Sequence, residues 1–156
     1  MTELIVIRVA TAEDAAELSR LNIAFNGVYE PPERLARRLL DPRRVETPIV
    51  AVVDGRIVGF ASLRLAPSIF YPEPQAELTE LFVEEAYRRR GVGRALVAHV
   101  EQLAREGGAA ELLALTGRDN RPALVFYRAL GFDPADLALR KNFGDSMAAD
   151  EQRISG

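Results

Sequence analysis

The sequence predicts an α/β fold built on one mixed, mostly antiparallel central sheet with helices on both faces. Asp54-Gly55 sits between two apolar, β-branched runs, the signature of a tight hairpin and so of antiparallel pairing. Residues 76–116 read as strand, glycine loop, helix and strand, which closes a parallel pair through a right-handed crossover. Across 156 residues the order is β-α-α-β-β-β-α-β-α-β, with no internal repeat and no linker.

Each element has a local reason. Residues 4–9 are apolar and β-branched, a first strand. Thr11-Ala12-Glu13-Asp14 resembles a capping box with Asp in place of Glu, and it opens a helix to about Asn22. Residues 22–27 are expected as a loop, and Pro31-Pro32 starts a second helix through Leu40. Residues 48–53 and 56–65 are the two hairpin strands. Pro67, Pro72 and Pro74 keep 66–75 irregular. Residues 76–83 form a strand, 92–105 a helix stopped by Gly107-Gly108, and 111–116 a further strand. A short helix over 122–130 closes at Gly131, and 132–143 supplies two short final strands. A single domain over 1–143 and a frayed polar tail over 144–156 complete the expectation.

Composition narrows the function. Hydrophobic residues make up 48% and charged residues 28%, ordinary for a soluble globular protein. A net charge of -3 argues against nonspecific nucleic-acid or membrane binding, which needs a basic face. The chain has no cysteine, so disulfides, thiolate metal sites and thiol nucleophiles are excluded. His99 is the only histidine and reads as a surface or packing residue, so no metal site is expected. With no signal peptide and no membrane-spanning run, the expected location is cytoplasmic.

The most informative stretch is Tyr87-Arg88-Arg89-Arg90-Gly91-Val92-Gly93-Arg94-Ala95-Leu96, between a strand and a helix. The first N–H groups of a helix have no intrahelical partner, and the helix dipole adds about half a positive charge there. Glycine lets backbone approach an anion closely. The run is therefore a phosphate site. A P-loop would need Lys beside the glycines, and none is present. A dinucleotide fingerprint needs its glycines directly after the strand and Gly or Ala where Leu96 stands.

The pattern that fits is [RQ]-x-x-G-x-[GA], filled by Arg88-Arg89-Arg90-Gly91-Val92-Gly93. With its flanking strand and helix it resembles the acyl-CoA site of the GCN5-related N-acetyltransferase (GNAT) superfamily. Residues 78–83, Leu-Thr-Glu-Leu-Phe-Val, resemble that family's central strand. Residues 120–132 resemble its second signature, N-x-x-A-x-x-x-Y-x-x-x-G-F, and the element order matches over about residues 4–143.

The resemblance implies a splayed parallel pair of strands, the acyl-CoA N-acyltransferase fold, with acetyl-CoA as cosubstrate. It implies that the pyrophosphate lies on the amides of Arg89, Arg90, Gly91, Val92, Gly93, Arg94 and Ala95, with the Arg88 and Arg89 side chains adding charge. Arg90 and Arg94 either reach the adenosine phosphate or are solvated. Main-chain groups in Leu81-Phe82-Val83 would pair with the pantetheine arm, the Leu81 amide donating to the thioester carbonyl. Tyr127 occupies the position of the acid that protonates the leaving sulfur, or is a core aromatic. Asn120 either contacts pantetheine or caps the following helix.

An amine must lose a proton before it can attack, so a base is needed as well. Glu80 is the first choice and Glu77 the second, and strand alternation is expected to set them on opposite faces. Phe25, Asn26 and Tyr29 in the first loop, with Phe70, Tyr71 and Glu73 in the second, are expected to shape the acceptor pocket together with Glu80. The expected acceptor is a small-molecule amine or a peptide N-terminus, and the chain a monomer or homodimer. The alternative is a noncatalytic acyl-CoA sensor on the same fold. The presence of both Tyr127 and strand carboxylates favours the enzyme.

Overall fold

The computed structural model describes residues 3–144. Five strands lie in chain order across one sheet: β1 (Ile5–Val9), β2 (Glu46–Val53), β3 (Arg56–Ala66), β4 (Gln75–Val83) and β5 (Leu113–Ala114). The first three pairings are antiparallel, and β4–β5 is parallel. The helices are α1 (Ala15–Asn26), α2 (Pro32–Leu40), α3 (Val92–Glu106) and α4 (Arg121–Ala129). The hairpin expected at Asp54-Gly55 is present, with both residues at positive φ (51° and 75°) as a type I′ turn requires.

Hydrophobic periodicity puts a core on each side of the sheet. On α3 the buried residues Val92, Leu96, Val97, Val100 and Ala104 form a stripe against Ile49, Ala51, Val53, Val58, Ala61 and Leu63. On the other face Leu18 and Leu21 of α1, with Leu35 and Leu39 of α2, cover Val50, Ile57 and Phe60. Each fully buried aliphatic side chain contributes about 1.5–3 kcal/mol. Gly59 is required by close approach, since a Cβ there would lie 2.7 Å from the Phe82 carbonyl oxygen.

Four expectations change. The helix expected to end at Asn22 runs to Asn26, because Gly27 (φ 66°) is what closes it, donating to the Ile23 carbonyl at 3.0 Å. Phe25 and Asn26 therefore lie on a helix and not in a loop. The strand expected over 111–116 is reduced to Leu113–Ala114, for a reason that lies in β4. No residue of 132–143 joins the sheet; Leu137, Leu139 and Phe143 stay exposed, without the buried face that fixes a strand. The tail expected over 144–156 lies, beyond Gly144, outside the described residues.

The fourth change is a β-bulge. Ser62 pairs with Glu80 and Leu63 with Leu78, so Thr79 is an extra residue on β4. Before it, Ala76 and Leu78 point into the α3 core; after it, Leu81 and Val83 do. The alternation has slipped by one. Glu77 and Glu80 consequently share the α1/α2 face, contrary to the opposite faces expected for residues three apart. A bulge also bends its strand, and the β4–β5 pairing stops at Leu78–Ala114, immediately before it.

Candidate active site

Beyond the bulge, the outer edge of β4 has no partner strand among the described residues. The Glu84 N–H donates to the Val58 carbonyl at 2.8 Å, which sets the phase of the antiparallel ladder. Main-chain groups of Phe82 therefore bond β3, while those of Leu81 and Val83 point outward, to the side where β5 has diverged. Unpaired N–H and C=O groups in a row can accept a ligand as an added strand. Here one of them is already engaged: Arg88 Nε donates to the Val83 carbonyl at 2.8 Å, with its guanidinium 5.7 Å from the centre of the Phe82 ring.

The same edge leads to the start of α3. Arg89 (φ 63°) and Gly91 (φ 85°) both adopt left-handed conformations, curling the chain so that successive N–H groups point to one side. The first helical hydrogen bond outside this curl runs from Ala95 N–H to the Gly91 carbonyl at 3.0 Å, and no side chain caps the helix. The N–H groups of Val92, Gly93 and Arg94 thus remain available to an anion. Gly93 packs closely; a Cβ there would sit 3.4 Å from the Phe126 ring.

The structure separates the arginines of this run. Arg90 is held by Glu3, at 2.8 Å to both carboxylate oxygens, and lies over the Tyr87 ring at 5.3 Å. Among the described residues, Arg89 and Arg94 have no ion-pair partner, and both are exposed. Asn120 caps α4, its Oδ1 accepting from the Ala123 N–H at 3.3 Å.

Two titratable groups stand on opposite sides of the sheet. Tyr127 comes from the α3 side, where it packs between Phe126 and Phe132 at ring-centre distances of 5.4 and 5.2 Å. Burial pushes its phenol above the ordinary value, so it keeps its proton at neutral pH. Glu80 stands on the α1 side and accepts from Asn26 Nδ2 at 3.1 Å. Burial raises its carboxyl above the usual range, and the Glu46 charge adds to this; the Asn26 hydrogen bond and Arg64 act the other way. Asn26 is itself oriented by Asn22 Oδ1 at 2.8 Å, and Asn22 donates to the Val28 carbonyl at 3.1 Å.

Asn22, Asn26, Val28 and Glu80 line an open cleft of about 380 Å³. Beside it, Phe25 stacks on Phe82 at 5.3 Å and meets Phe60 edge-on at 6.2 Å. Tyr29, which follows the cleft residue Val28 in the chain, is half exposed. The residues of the β3–β4 loop are not among those lining the cleft: Phe70 and Tyr71 are exposed, their N–H groups bonded to Ser68 Oγ. Glu77 is bound by Arg64 at 3.1 Å. Sequence reasoning missed Asn22, Ser62, Arg64 and Glu46, the last accepting from Thr79 Oγ1 at 2.6 Å.

A strand edge beside an uncapped helix start, with a carboxylate on one face of the sheet and a phenol on the other, is an arrangement that suits acyl transfer to an amine. Residues 15–132 match the acetyltransferase (GNAT) family, and the chain belongs to it as an N-acetyltransferase. It is 31% identical to an aminoglycoside N(6')-acetyltransferase type 1 of Stenotrophomonas maltophilia over 134 residues, 83% of this chain and 87% of that protein. It is 33% identical to the N-alpha-acetyltransferase RimI of Mycobacterium tuberculosis over 142 residues, 89% of this chain and 85% of that one. In fold it is similar to an aminoglycoside acetyltransferase from an uncultured soil metagenomic sample (TM-score 0.78, 21% identity, covering 91% of this chain and 97% of that one). It is equally similar to an aminoglycoside N-acetyltransferase, AAC(6')-Iy, in complex with CoA (TM-score 0.78, 20% identity, 92% and 97% covered). Among the described residues no helix is long and apolar enough to cross a membrane.

Proposed function

We propose that this chain transfers the acetyl group of acetyl-CoA directly to a primary amine while both are bound. The observation that supports the reading is the outward-facing edge of β4 at Leu81 and Val83, with Glu80 on the α1/α2 side of the sheet and Tyr127 on the α3 side. Acetyl-CoA supplies the thioester. The N–H groups of Val92, Gly93 and Arg94 take its pyrophosphate, and Arg89 and Arg94 add charge. Arg88 leaves the Val83 carbonyl as the pantetheine arm takes that position.

The Leu81 N–H donates to the thioester oxygen and stabilises the negative charge that grows there. Glu80 accepts a proton from the acceptor ammonium, directly or through a water, and so frees the nitrogen lone pair. The nitrogen bonds to the carbonyl carbon and the carbon–sulfur bond breaks; Tyr127 gives its proton to the departing sulfur and regains one from the nitrogen, which sheds its second proton as the amide forms. CoA thiol and an N-acetyl amide are the products. Asn26 holds Glu80 in place, and Glu77, engaged by Arg64, is not the base. The acceptor is a small-molecule amine or a peptide N-terminus, and the reaction belongs in the cytoplasm, in a monomer or homodimer.

The test is thermal stabilisation by acetyl-CoA, CoA and NAD, followed by thiol release across a panel of amines. Stabilisation by the two CoA species and turnover of at least one amine are expected. Stabilisation by NAD alone would overturn the reading. Binding of CoA with no turnover on any amine would favour an acyl-CoA sensor.

A further inference from the structure

The face of the sheet that carries Glu80 holds more negative charge than one amine can answer. Residues of β2 at even positions, Val50 and Val52 among them, pack on the α1/α2 side, and Glu46 follows the same alternation. Its carboxylate reaches across β3 to Thr79 Oγ1 on the bulge at 2.6 Å. Glu77 and Glu80 share this face because of that bulge. Three carboxylates are thus grouped around one cation: Arg64 faces Glu46 on one side and Glu77 on the other in register, and lies 3.1 Å from Glu77. Arg44 approaches Glu46 too, but donates to its main-chain oxygen and to Thr47 Oγ1. Among the described residues, Glu46 and Glu80 have no ion-pair partner.

A second observation points to a ligand. Ser62 is 3% exposed, and its Oγ is the buried side-chain polar atom without a hydrogen-bond partner among the described residues. It lies on the same face, directly opposite Glu80 in register. A buried hydroxyl left unpaired is costly, as is a group of like charges, unless something arrives to satisfy both.

We propose that the acceptor carries two cationic groups. One ammonium is the nucleophile at Glu80; the second is received by Glu46 and Glu77 with the Ser62 hydroxyl. The reading deepens the proposed reaction and rests on Glu80 facing the acceptor. Glu77 and Glu80 are three strand residues apart, about 10 Å at full extension and less across a bulge, so the two cations stand under about 10 Å apart. A linear diamine meets this; an amine whose other end is neutral or anionic does not.

The test is calorimetric titration of the CoA-saturated protein with 1,5-diaminopentane and with 1-aminopentane. The diamine is expected to bind at least tenfold more tightly. Glu46→Gln, which keeps an acceptor for Thr79, should cut that advantage below threefold. Ser62→Ala should weaken diamine binding while raising the melting temperature, since it removes an unpaired buried hydroxyl; a purely structural serine would show no binding change. Equal affinity for the two amines, or a full diamine advantage in Glu46→Gln, overturns the proposal. Because the readout is binding, absence of acetyl transfer to any amine would sink the proposed reaction and leave a measured diamine preference standing.

Discussion

Glu77 and Glu80 share one face of the sheet because Thr79 between them is skipped in the register with β3. Deleting Thr79 would leave every other β4 side chain on its present face and remove only the bulge. The core should survive, with stability in urea changed by no more than about 1–2 kcal/mol. Turnover in a thiol-release assay should fall at least about a hundredfold, because a straight β4 would stay paired with β5 past Leu78 and close the edge at Leu81. Retained activity would separate the bulge from the site.

Glu80 gives a pH dependence with a defined sign. Burial raises its carboxyl, so the ionised form that accepts a proton appears at higher pH than for a solvated glutamate. The rising limb of kcat/KM should reflect that group and disappear in Glu80→Gln, together with most of the activity. Stability runs the opposite way from an ion-paired acid. A folded pKa above the unfolded one means the ionised carboxylate costs stability, a cost absent at low pH and present once pH has risen through the folded value. Glu80→Gln should therefore melt higher than the native protein at pH 7, with the gain gone near pH 4.

Tyr127→Phe tests the acid. The ring still packs between Phe126 and Phe132, so acetyl-CoA affinity should change less than about threefold. Loss of the proton donor should lower kcat by about tenfold or more, equal to about 1.4 kcal/mol of barrier. Because burial raises the phenol, native activity should show no falling limb below about pH 10. Unchanged kcat in the variant would remove Tyr127 from the chemistry.

Gly91→Ala tests the anion loop. At φ 85° a Cβ meets no neighbour but strains the backbone by about 1 kcal/mol. The curl that aims the amides of Val92 to Arg94 should relax, weakening CoA binding about fivefold or more by calorimetry. Amine affinity should not change, since the cleft at Glu80 lies on the far side of β4.

Much of this was legible in the sequence because it is local. The Asp54-Gly55 turn, the α3 stripe and the strand–glycine–helix run each declare themselves within a dozen residues. The same holds for Asp14, whose carboxylate accepts the Thr11 N–H at 2.8 Å as the capping pattern predicts, and also takes Arg8 at 2.7 Å. What escaped depends on pairing between distant segments. The extra residue at Thr79 exists only relative to Ser62 and Leu63, so counting along β4 alone sets Glu77 and Glu80 on opposite faces. Glu46 enters the site only because β2, β3 and β4 are adjacent. The α1 terminus was misread because Asn22 resembles a stop, whereas its amide turns back to bond Val28.

The free edge of β4 also poses a hazard of association. Any exposed strand edge can template pairing with another chain, and evolution usually blocks it with charge, brevity or cover. This edge must stay receptive to a single thin ligand. It is only a few residues long, one end is filled by the Arg88 side chain on the Val83 carbonyl, and aromatic residues of α4 crowd the α3 side. A full polypeptide strand would need more length and more room than this leaves. Arg88 thus occupies an acceptor that a second chain would need in order to pair along this edge.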